Sequence, residues 1–374
     1  MKQTAIYGVE DIDPKAFDQF YKAMELDCVV KGALMADAHL GYALPIGGVV
    51  ATKDVIFPSW VGYDIGCGMC AVKTDFSLKE LDLDGEAIHA SIHDHVPVGF
   101  RHNRRPVTWR EFATQPRTDM LEKMFFDKGG LKQLGTLGGG NHFIEIGYDE
   151  EASVWIIVHS GSRNVGHSVA THYMKEASFL HTGVRKAREG HFGFMAVSND
   201  DNLFNDYIKD LKFCEAFALE NRKIIIDRVL DALHCSGHPG DIEGEIINRN
   251  HNHVEFRDGL IIHRKGATHA DKGMLGVIPG NMRDGSFIVR GRGNADALWS
   301  SSHGAGRVLG RKQAKETLDF ADFQEAMTGL TASVVEANID ESPMAYKDIY
   351  AVMEHQKDLV DIVSHVMPII NVKG

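Results

Sequence analysis

The sequence predicts a protein of mixed α and β structure, an α/β (α+β) fold, formed by one domain over residues 1–374. Short apolar segments between glycine-rich turns predict buried or half-buried strands at 47–52, 70–74, 143–147 and 154–159. A longer segment with apolar residues at helical spacing predicts a helix over 205–233. No internal repeat, low-complexity tract or linker rich in proline and serine divides the chain, which favours one domain.

Two further helices are predicted from local signals. Pro14 is followed from Phe17 onwards by apolar residues at helical spacing, and proline is typical of the first helical position. Near the C-terminus, 344–366 is a helical candidate that Pro368 should end. The histidine- and glycine-rich motifs fall mostly at the ends of the predicted strands, where functional loops tend to lie.

The composition is that of an ordinary globular chain, with 44% hydrophobic and 25% charged residues. A net charge of −12 argues against a non-specific nucleic-acid coat protein, because phosphate binding needs cations. The 20 histidines and 38 glycines point towards an enzyme. Histidine binds metals and carries protons, and glycine lets backbone approach a ligand closely.

Cysteine usage and hydropathy predict a cytoplasmic protein. The five cysteines do not form a disulfide framework, and a reducing cytoplasm is the simplest compartment for them. The N-terminus, MKQTAIYGVEDID, has no apolar core and no small-residue cleavage site, so no signal peptide is expected. The longest apolar run, 154–158, is too short to span a bilayer, so no membrane association is expected.

The segment VGYDIGCGMC places a carboxylate and a thiol three residues apart, at Asp64 and Cys67. These side chains can bind one metal ion or bridge two. Cys67 and Cys70 also form a C-x2-C pair, but the sequence has no second pair to complete a zinc ribbon. A buried cysteine in a tight glycine turn is the competing interpretation.

In LGTLGGGNHFIE, Asn141 and His142 follow three glycines, which would let backbone approach an anion or a metal. A flexible turn capped by His142 explains the motif equally well. Glu145 would lie on the opposite face of a strand from His142, so it needs a different role or a kink in the strand.

Two more motifs carry histidines near predicted strand ends. His159 ends the apolar strand VWIIV and precedes a loop of small residues with Arg163. This is a good geometry for a site, although a histidine satisfied by a backbone carbonyl is the alternative. The segment NRNHNHVEF contains His251 and His253, and one of the two is expected to be exposed.

His303 lies among small residues in SSSHGAGRVLGR. Arg307 and Arg311 are four residues apart, so on a helix they would share one face. Guanidinium groups beside a histidine suit phosphoryl transfer, in which arginine stabilises charge on the transferred phosphate. A helix start with a solvated arginine face is the alternative, and the functional interpretation is favoured here.

Ten segments along nearly the whole chain resemble, in order, the RtcB family of RNA-splicing ligases, which join RNA 3′-phosphate and 5′-hydroxyl ends. They are ADAHLGYALPIGGVVAT, VGYDIGCGM, LGTLGGGNHFIE, VHSGSR, NHNHVEF, HRKGAT, VIPGNM, SSSHGAGRVLGR, DESPMAYKDI and the terminal VKG. The resemblance implies a single α/β domain of stacked mixed β-sheets flanked by helices. It also implies two metal ions, usually manganese, beside GTP.

The resemblance also implies roles for individual residues. The metal ligands would be Asp64, Cys67, His142, His159 and His251, with Cys67 bridging the two ions. The catalytic residue would be His303, as the histidine that becomes guanylated. The nucleotide would contact Asn141, Glu145, Asn281, Ser286, His303, Gly304, Gly306, Tyr346 and Lys373. Asp37 matches an aspartate that supports the metal shell, and a basic wall facing phosphates would comprise Arg163, Arg307 and Arg311.

The chemistry of the implied ligands does not by itself favour manganese over zinc. A soft thiolate with imidazoles would bind zinc at least as tightly as manganese, so manganese rests on the family and zinc is expected to bind in vitro. Five ligands are too few for two full shells, which fits a shared Cys67 and open catalytic positions. Two departures have effects that the sequence leaves open: PGNMR, with Asn281, replaces the usual PGSMG, and Leu40 replaces a basic residue.

The implied activity is GTP- and metal-dependent joining of RNA 3′-phosphate or 2′,3′-cyclic phosphate ends to 5′-hydroxyl ends through a histidine–GMP intermediate, in tRNA splicing or RNA repair. A two-metal phosphoesterase that uses water and no GTP is the rival enzyme. A nucleotide- or RNA-end-binding protein without turnover is the non-enzyme rival, and the intact His303 argues against it. The RNA, the oligomeric state, the metal in the cell and the need for an activating protein partner stay open.

Overall fold

The structure is a computed structural model that describes residues 2–78, 84–187, 192–198, 202–235 and 241–374 of the chain. The helices in these ranges are α1 (Pro14–Met24), α2 (Pro58–Val61), α3 (Gly85–His95), α4 (Asp119–Asp127), α5 (Gly130–Gln133), α6 (Arg163–Thr182), α7 (Leu203–Cys235), α8 (Arg311–Thr317), α9 (Phe320–Ala326) and α10 (Ile349–His355). Short 3-10 helices lie at Val9–Asp11, Phe112–Thr114, Glu336–Glu341 and Pro343–Ala345. None of the helices described is long and apolar enough to cross a membrane.

The strands are β1 (Gln3–Ile6), β2 (Val29–His39), β3 (Ile46–Thr52), β4 (Val55–Ile56), β5 (Gly68–Ser77), β6 (Phe143–Tyr148), β7 (Ser153–Ser160), β8 (Met195–Ala196), β9 (Ile242–Asn250), β10 (Asn252–Arg257), β11 (Leu260–Lys265), β12 (Ala267–His269), β13 (Leu275–Pro279), β14 (Ser286–Gly291), β15 (Ser300–Ser302), β16 (Thr331–Ala332) and β17 (Val360–Lys373). Within the described residues, the first sheet has the order β1-β2-β3-β11-β10. The second has the order β13-β14-β17-β6-β7-β5-β9, with β16 added to β17. Both sheets mix parallel and antiparallel pairs, which confirms the predicted fold class.

The second sheet is covered on both faces, and its strands alternate accordingly. Cys70 and Val72 of β5 point into a core that includes residues of α3 and α7. Met69 and Ala71 point into a separate core on the other face. This period of two is what a strand between two apolar layers requires.

The two sheets meet through a third apolar cluster. Val49 of β3 and Ile262 of β11, from the first sheet, pack in one cluster with Phe287 and Val289 of β14, from the second. The N-terminal helix α1 covers the first sheet, because its apolar face buries Phe20 in a cluster that contains Val29 and Val50. The sheets are therefore stacked, with helices outside them.

Most of the predicted elements are confirmed. The four predicted strands lie within β3, β5, β6 and β7, and the helix predicted over 205–233 is α7. The N-terminal helix begins at Pro14, where Asp13 caps it by accepting a hydrogen bond from the Lys15 N–H at 2.7 Å.

The prediction of a helix over 344–366 is wrong. Helix α10 covers only Ile349–His355, and Val360–Lys373 forms β17, an interior strand of the second sheet. Pairing with β14 on one side and β6 on the other satisfies the backbone of β17, so tertiary contacts override the local helical spacing. Pro368 lies beside a register shift in the β17–β6 pair, where proline's missing N–H is tolerated.

A substitution in the α7 core should test this packing. Phe217 is fully buried and meets Trp109 and Phe125 edge-on, so Phe217→Ala should cost about 3–5 kcal/mol of unfolding free energy. Urea unfolding followed by circular dichroism measures this loss. Phe100→Ala is the control, because Phe100 is 102% exposed and its removal should change stability by less than about 0.5 kcal/mol. Equal stabilities of the two variants would contradict the described core.

Candidate metal centre and adjoining pocket

A tight turn before β5 carries Asp64 and Cys67. The Cys67 N–H donates to the Asp64 carbonyl at 3.2 Å, and Gly66 between them has a φ of 72°, a conformation that favours glycine. A Cβ on Gly66 would lie 2.9 Å from the Cβ of Ala218 in α7, so close packing also requires glycine there. The turn is thus held against α7 with both side chains on one side of it.

The corner between β9 and β10 brings His251 to the same place. The His251 N–H donates to the Cys67 carbonyl at 2.7 Å, and the Gly66 N–H donates to the Asn252 carbonyl at 2.8 Å. His142 precedes β6, and His159 lies next to it near the end of the neighbouring β7. Four chain segments therefore deliver ligand-type side chains to one point.

The Cys67 sulfur lies at the centre of these side chains. Its Sγ is 3.4 Å from Nε2 of His142 and 3.2 Å from Nε2 of His159. On one side, Nε2 of His142 is 3.2 Å from a carboxylate oxygen of Asp64. On the other, Nε2 of His159 is 3.3 Å from Nε2 of His251. The ligand atoms form two groups within 4.8 Å, Asp64–Cys67–His142 and Cys67–His159–His251, and they share Cys67.

The hydrogen bonds around this cluster suit cations. Nδ1 of His142 lies 3.0 Å from the Leu137 carbonyl, and Nδ1 of His159 lies 3.0 Å from the Asn141 carbonyl. A carbonyl accepts only, so each Nδ1 carries the proton and each Nε2 presents a lone pair to the centre. Lone pairs, a sulfur and a carboxylate that face one another need positive charge between them. The donor set therefore fits two divalent cations that share the sulfur.

Burial sets the protonation of the cluster. It lowers the pKa values of His159 and His251 well below the usual range, with His303 the leading neighbouring charge for His251 and His142 for His159. Both imidazoles are therefore neutral and able to bind metal. Burial, followed by the charge of Asp64, raises the pKa of the Cys67 thiol well above its usual value. A metal must displace that proton to bind.

His303 lies next to the cluster but pairs with a different residue. Its ring is 4.7 Å from the ring of His251, nearly perpendicular to it. Its Nδ1 is 2.6 Å from a carboxylate oxygen of Asp37, which also accepts the His303 backbone N–H at 3.2 Å. Because the carboxylate accepts only, Nδ1 donates, and in the neutral imidazole the lone pair is then on Nε2.

Asp37 was expected to support the metal ligands, and its carboxylate contacts His303, which lies next to them. Asp37 is completely buried. Burial opposes its ionisation, but the charge and hydrogen bond of His303 outweigh burial and lower the Asp37 pKa. The pair therefore resembles the carboxylate–histidine unit that orients a reactive imidazole.

A pocket beside His303 brings together most of the residues predicted to bind nucleotide or phosphate. Its lining includes Asn141, Glu145, His159, Asn281, His303, Gly304, Gly306, Arg307, Arg311, Tyr346 and Lys373. Ser286 lies behind the wall and donates a hydrogen bond to Glu145 at 2.9 Å. Burial raises the pKa of Glu145 to about 7, although Ser286 and Lys373 oppose the shift. Glu145 thus faces the pocket while His142 faces the metal ligands, as the strand geometry required.

Glu341 organises one side of this pocket, and the sequence analysis missed it. Its carboxylate accepts from Lys373 Nζ at 2.6 Å, from Arg311 Nη1 at 2.6 Å and from the Tyr346 hydroxyl at 2.7 Å. Burial opposes its charge, but Lys373 and Arg311 outweigh burial and lower the Glu341 pKa to about 2. The motif DESPMAYKDI contains both Glu341 and Tyr346, but nothing in its spacing indicates that the distant side chains of Arg311 and Lys373 converge on Glu341.

The arginine positions differ from the expectation. Arg307 and Arg311 do not share a helix face, because α8 begins at Arg311 and Arg307 forms an isolated bridge with Tyr346. They approach each other instead through Glu341, which is 3.5 Å from Arg307. Arg163 lies apart from them, with its guanidinium bonded to Thr136 and to the carbonyl of Gly99.

Three further positions complete the comparison with the sequence. Either His251 or His253 was expected to be exposed, but both are buried. His253 contacts Arg264 at 3.2 Å. The Asn281 side chain closes its own turn by bonding to Asp284 and to backbone N–H groups. Leu40 is half exposed at the surface.

A second residue that the sequence analysis missed is the fully buried Arg222 of α7. Its guanidinium donates to the carbonyls of Gly66 and Ser160, both at 2.9 Å, and to the side chains of Asn248 and Asn250, both at 2.7 Å. These bonds join α7 to the segments that carry Cys67, His159 and His251. An arginine within an apolar helical pattern was the signal that could have revealed it.

Comparison with known proteins identifies the family of this chain. The family model described as tRNA-splicing ligase RtcB matches residues 19–125 and 117–374. The chain therefore belongs to the RtcB family of RNA ligases, as its motifs suggested.

Individual relatives agree over most of their length. The chain is 36% identical over 368 residues to the RNA-splicing ligase RtcB of Escherichia coli strain K12, covering 91% of this chain and 90% of the relative. It is 31% identical over 425 residues to the tRNA-splicing ligase RtcB of Pyrobaculum aerophilum, covering 91% and 87%. It is 28% identical over 424 residues to that of Aeropyrum pernix, with the same coverage.

Removal of the shared sulfur should weaken metal binding by both ligand groups. In Cys67→Ala, metal retained per chain after dialysis against Mn²⁺ or Zn²⁺ should fall by more than half, because Cys67 belongs to both groups. Elemental analysis measures the metal. Binding to the unaltered protein should weaken as pH falls towards about 6, since protons compete for the raised-pKa thiol.

Cys70→Ala is the matched control for this prediction. Cys70 is also buried, but its side chain packs in the apolar core on the α7 face of the second sheet. The Cys70→Ala variant should bind the same amount of metal as the unaltered protein. Full metal content in a folded Cys67→Ala variant would contradict the shared-ligand assignment.

Proposed function

We propose that this protein is a GTP- and metal-dependent RNA ligase that joins RNA 3′-phosphate or 2′,3′-cyclic phosphate ends to 5′-hydroxyl ends through a guanylated His303. The observation that carries the proposal is the 2.6 Å contact between Asp37 and Nδ1 of His303. His303 lines a pocket beside the proposed metal ligands. In the neutral imidazole the contact with Asp37 places the lone pair on Nε2, which can then act as the nucleophile.

The proposed reaction has three steps. Nε2 of His303 attacks the α-phosphate of GTP, so that a phosphorus–nitrogen bond forms and pyrophosphate leaves. The RNA 3′-phosphate then attacks the guanylated histidine and takes the guanylate, which frees His303. Finally the 5′-hydroxyl of the second RNA attacks the activated 3′-phosphate, releases GMP and closes the phosphodiester. A 2′,3′-cyclic end is hydrolysed to the 3′-phosphate first.

Asp37 does two things in the first step. Its carboxylate fixes the ring orientation of His303 and keeps the proton on Nδ1, so that the lone pair is on Nε2. Its negative charge also stabilises the imidazolium-like character that develops on the ring as the new bond forms. We therefore assign Asp37 as a positioning residue of the nucleophile.

The metal ligands proposed are Asp64, Cys67, His142, His159 and His251. They would hold two Mn²⁺ ions, with Zn²⁺ as an alternative in vitro, because thiolate and imidazole accept both metals. Divalent cations there would neutralise charge on the phosphates that react at the neighbouring His303.

The rest of the pocket supplies nucleotide contacts in this proposal. Asn141, Gly304 and Gly306 would approach the phosphates, and Arg307 and Arg311 would offset their charge. Arg163, on the His142 side, would contact RNA phosphate. Glu145, Ser286, Tyr346 and Lys373 would surround guanine and its sugar, and Asn281 would contribute through its turn. An ionised Glu145 can accept from the guanine N1–H and the 2-amino group, a pattern that adenine lacks.

The biological setting follows from the family and from the chemistry of the site. We propose tRNA splicing or repair of cleaved RNA in the cytoplasm, where a site that needs the reduced thiol of Cys67 is maintained. We propose that residues 1–374 act as one ligase domain. Whether an activating protein partner is required is a separate question that reconstitution with purified components answers.

The nucleophile can be tested with GTP labelled at the α-phosphate. The protein with Mn²⁺ should form a labelled adduct that survives alkali and is lost in mild acid, as expected of a phosphorus–nitrogen bond. His303→Ala should form none. Asp37→Asn should form it about 10²- to 10⁴-fold more slowly, because the neutral amide no longer fixes and stabilises the imidazole.

Metal content is the control that separates the two roles considered for Asp37. Asp37→Asn and His303→Ala should both retain the metal of the unaltered protein, since neither side chain belongs to the ligand groups. A labelled adduct in His303→Ala would move the chemistry to another histidine. Loss of metal in Asp37→Asn would return Asp37 to the metal shell.

Base recognition should depend on pH through Glu145. The carboxyl has a pKa of about 7 in the free protein, so it is mostly protonated below that value and must lose a proton to accept from guanine. Affinity for guanosine, which has no titrating phosphate, should therefore fall as pH drops through 7, by up to about tenfold per unit. Calorimetric titration measures it.

Glu145→Gln is the matched variant for this test. It should bind guanosine with roughly 5- to 150-fold lower affinity at pH 8, the cost of about 1–3 kcal/mol for mispaired buried polar groups. Its residual binding should not vary with pH. Adenosine binding equal to guanosine binding in the unaltered protein would contradict this assignment.

A further inference from the structure

A basic loop lies close to the metal centre and takes no part in the proposed chemistry. Residues 96–110, VPVGFRHNRRPVTWR, contain four arginines and no acidic residue, in a chain whose net charge is −12. Arg101, Arg104 and Arg105 are all exposed. Within the described part of the chain, no carboxylate lies within 4.0 Å of any of these three guanidinium groups. Residues 99–105 are called the arginine loop below.

An aromatic ring accompanies these charges. Phe100 is 102% exposed, the largest exposure among the large hydrophobic residues described. An apolar ring in this position contributes nothing to the core, and it is flanked directly by Arg101. Alternation of cations with an exposed aromatic ring is the pattern that binds single-stranded nucleic acid, in which phosphates meet the cations and bases stack on the ring.

The arginine loop is held in one conformation. Asn103 donates from its side chain to the carbonyls of Lys132 at 2.8 Å and Leu134 at 2.7 Å, and its backbone N–H donates to Lys132 at 2.9 Å. Gly99, with a φ of 64°, donates its N–H to the Gly138 carbonyl at 2.7 Å. These bonds fix the base of the loop and leave its arginine side chains and Phe100 facing solvent.

The same bonds connect the arginine loop to a metal ligand. Arg163 donates to the Gly99 carbonyl at 2.8 Å. Gly138 pairs with Val98, and a Cβ built on Gly138 would lie 2.6 Å from Nδ1 of His142. The loop is therefore separated from the metal ligands by a single glycine segment.

That glycine segment also borders the pocket. A Cβ built on Gly139 would lie 3.8 Å from the Cα of Gly99, and one built on Gly140 would lie 4.0 Å from a guanidinium nitrogen of Arg311. The arginine loop, the segment Gly138–Gly140 and the Arg311 guanidinium thus adjoin one another and form one track. A nucleic-acid strand that follows this track would pass beside His142 and reach His303.

We propose that the arginine loop binds the single-stranded RNA next to the end that reacts, with phosphates on Arg101, Arg104 and Arg105 and a base stacked on Phe100. This assignment rests on the proposed ligase function, since it names the surface that delivers the RNA to that site. The local positive charge also explains how a chain of net charge −12 binds a polyanion.

The test is RNA binding by the full chain without GTP. Fluorescence anisotropy would follow a labelled single-stranded RNA of about twelve nucleotides ending in a 3′-phosphate, at about 50 and 200 mM salt. The variant Arg101→Ala/Arg104→Ala/Arg105→Ala should bind at least tenfold more weakly, with its salt slope reduced by about two. Phe100→Ala should bind roughly 5- to 100-fold more weakly at both salt concentrations.

A matched variant controls for net charge. Arg185→Ala/Arg290→Ala/Arg292→Ala also removes three partly or fully exposed arginines, on segments distant in sequence from the loop, and it should bind RNA as the unaltered protein does. Equal losses in the two triple variants would overturn the proposal, because they would reflect only the overall charge. Unchanged RNA affinity in the arginine-loop variant would overturn it as well.

Guanylation without RNA distinguishes this proposal from the one on which it rests. The arginine-loop variant should form the labelled histidine adduct at the unaltered rate, because that step involves GTP alone. A normal adduct with normal RNA affinity in the variant would reject the arginine loop and leave the ligase standing. Failure of the unaltered protein to form any adduct would reject the proposed function, while the anisotropy data would still decide whether the loop binds RNA.

Discussion

The sulfur of Cys67 is the point on which the site depends, because it lies within 3.4 Å of two imidazole nitrogens and belongs to both ligand groups. Burial of lone pairs that face a thiol and a carboxylate is unfavourable unless a cation lies between them. The fold stabilises the arrangement from outside. Backbone carbonyls fix the tautomers of His142 and His159, and Arg222 fixes the backbone behind the turn that carries Cys67.

The stacked sheets explain how such a cluster forms. The four ligand segments adjoin four neighbouring strands, β6, β7, β5 and β9, so their side chains meet at one end of these strands. His303 reaches the cluster from a separate short strand, β15, and Asp37 reaches His303 from β2 of the first sheet. The Asp37–His303 pair and most of the candidate metal ligands thus come from different layers, so the chemistry proposed here requires both sheets to be packed correctly.

The sequence predicted the five candidate ligands and the role of His303 through the resemblance of their motifs to the RtcB family, whereas the local patterns around the candidate ligands left structural alternatives open. It did not predict the partners of acidic residues. Glu341 and Asp37 form their contacts with residues that are distant along the chain, Lys373 and His303, and no local spacing encodes such pairs. The strand β17 was missed for the same reason. Its apolar residues fit a helix locally, and only the neighbouring strands β14 and β6 decide otherwise.

The fate of a labelled RNA 3′-phosphate is the most direct test of the proposed ligase chemistry. An RNA labelled in its 3′-terminal phosphate should be incubated with a 5′-hydroxyl RNA, Mn²⁺ and the protein, with and without GTP. The label should enter an internal phosphodiester, resistant to alkaline phosphatase, only when GTP is present. Release of the label as inorganic phosphate without GTP, and no joined RNA, would exclude the proposed ligase chemistry and identify a two-metal phosphoesterase.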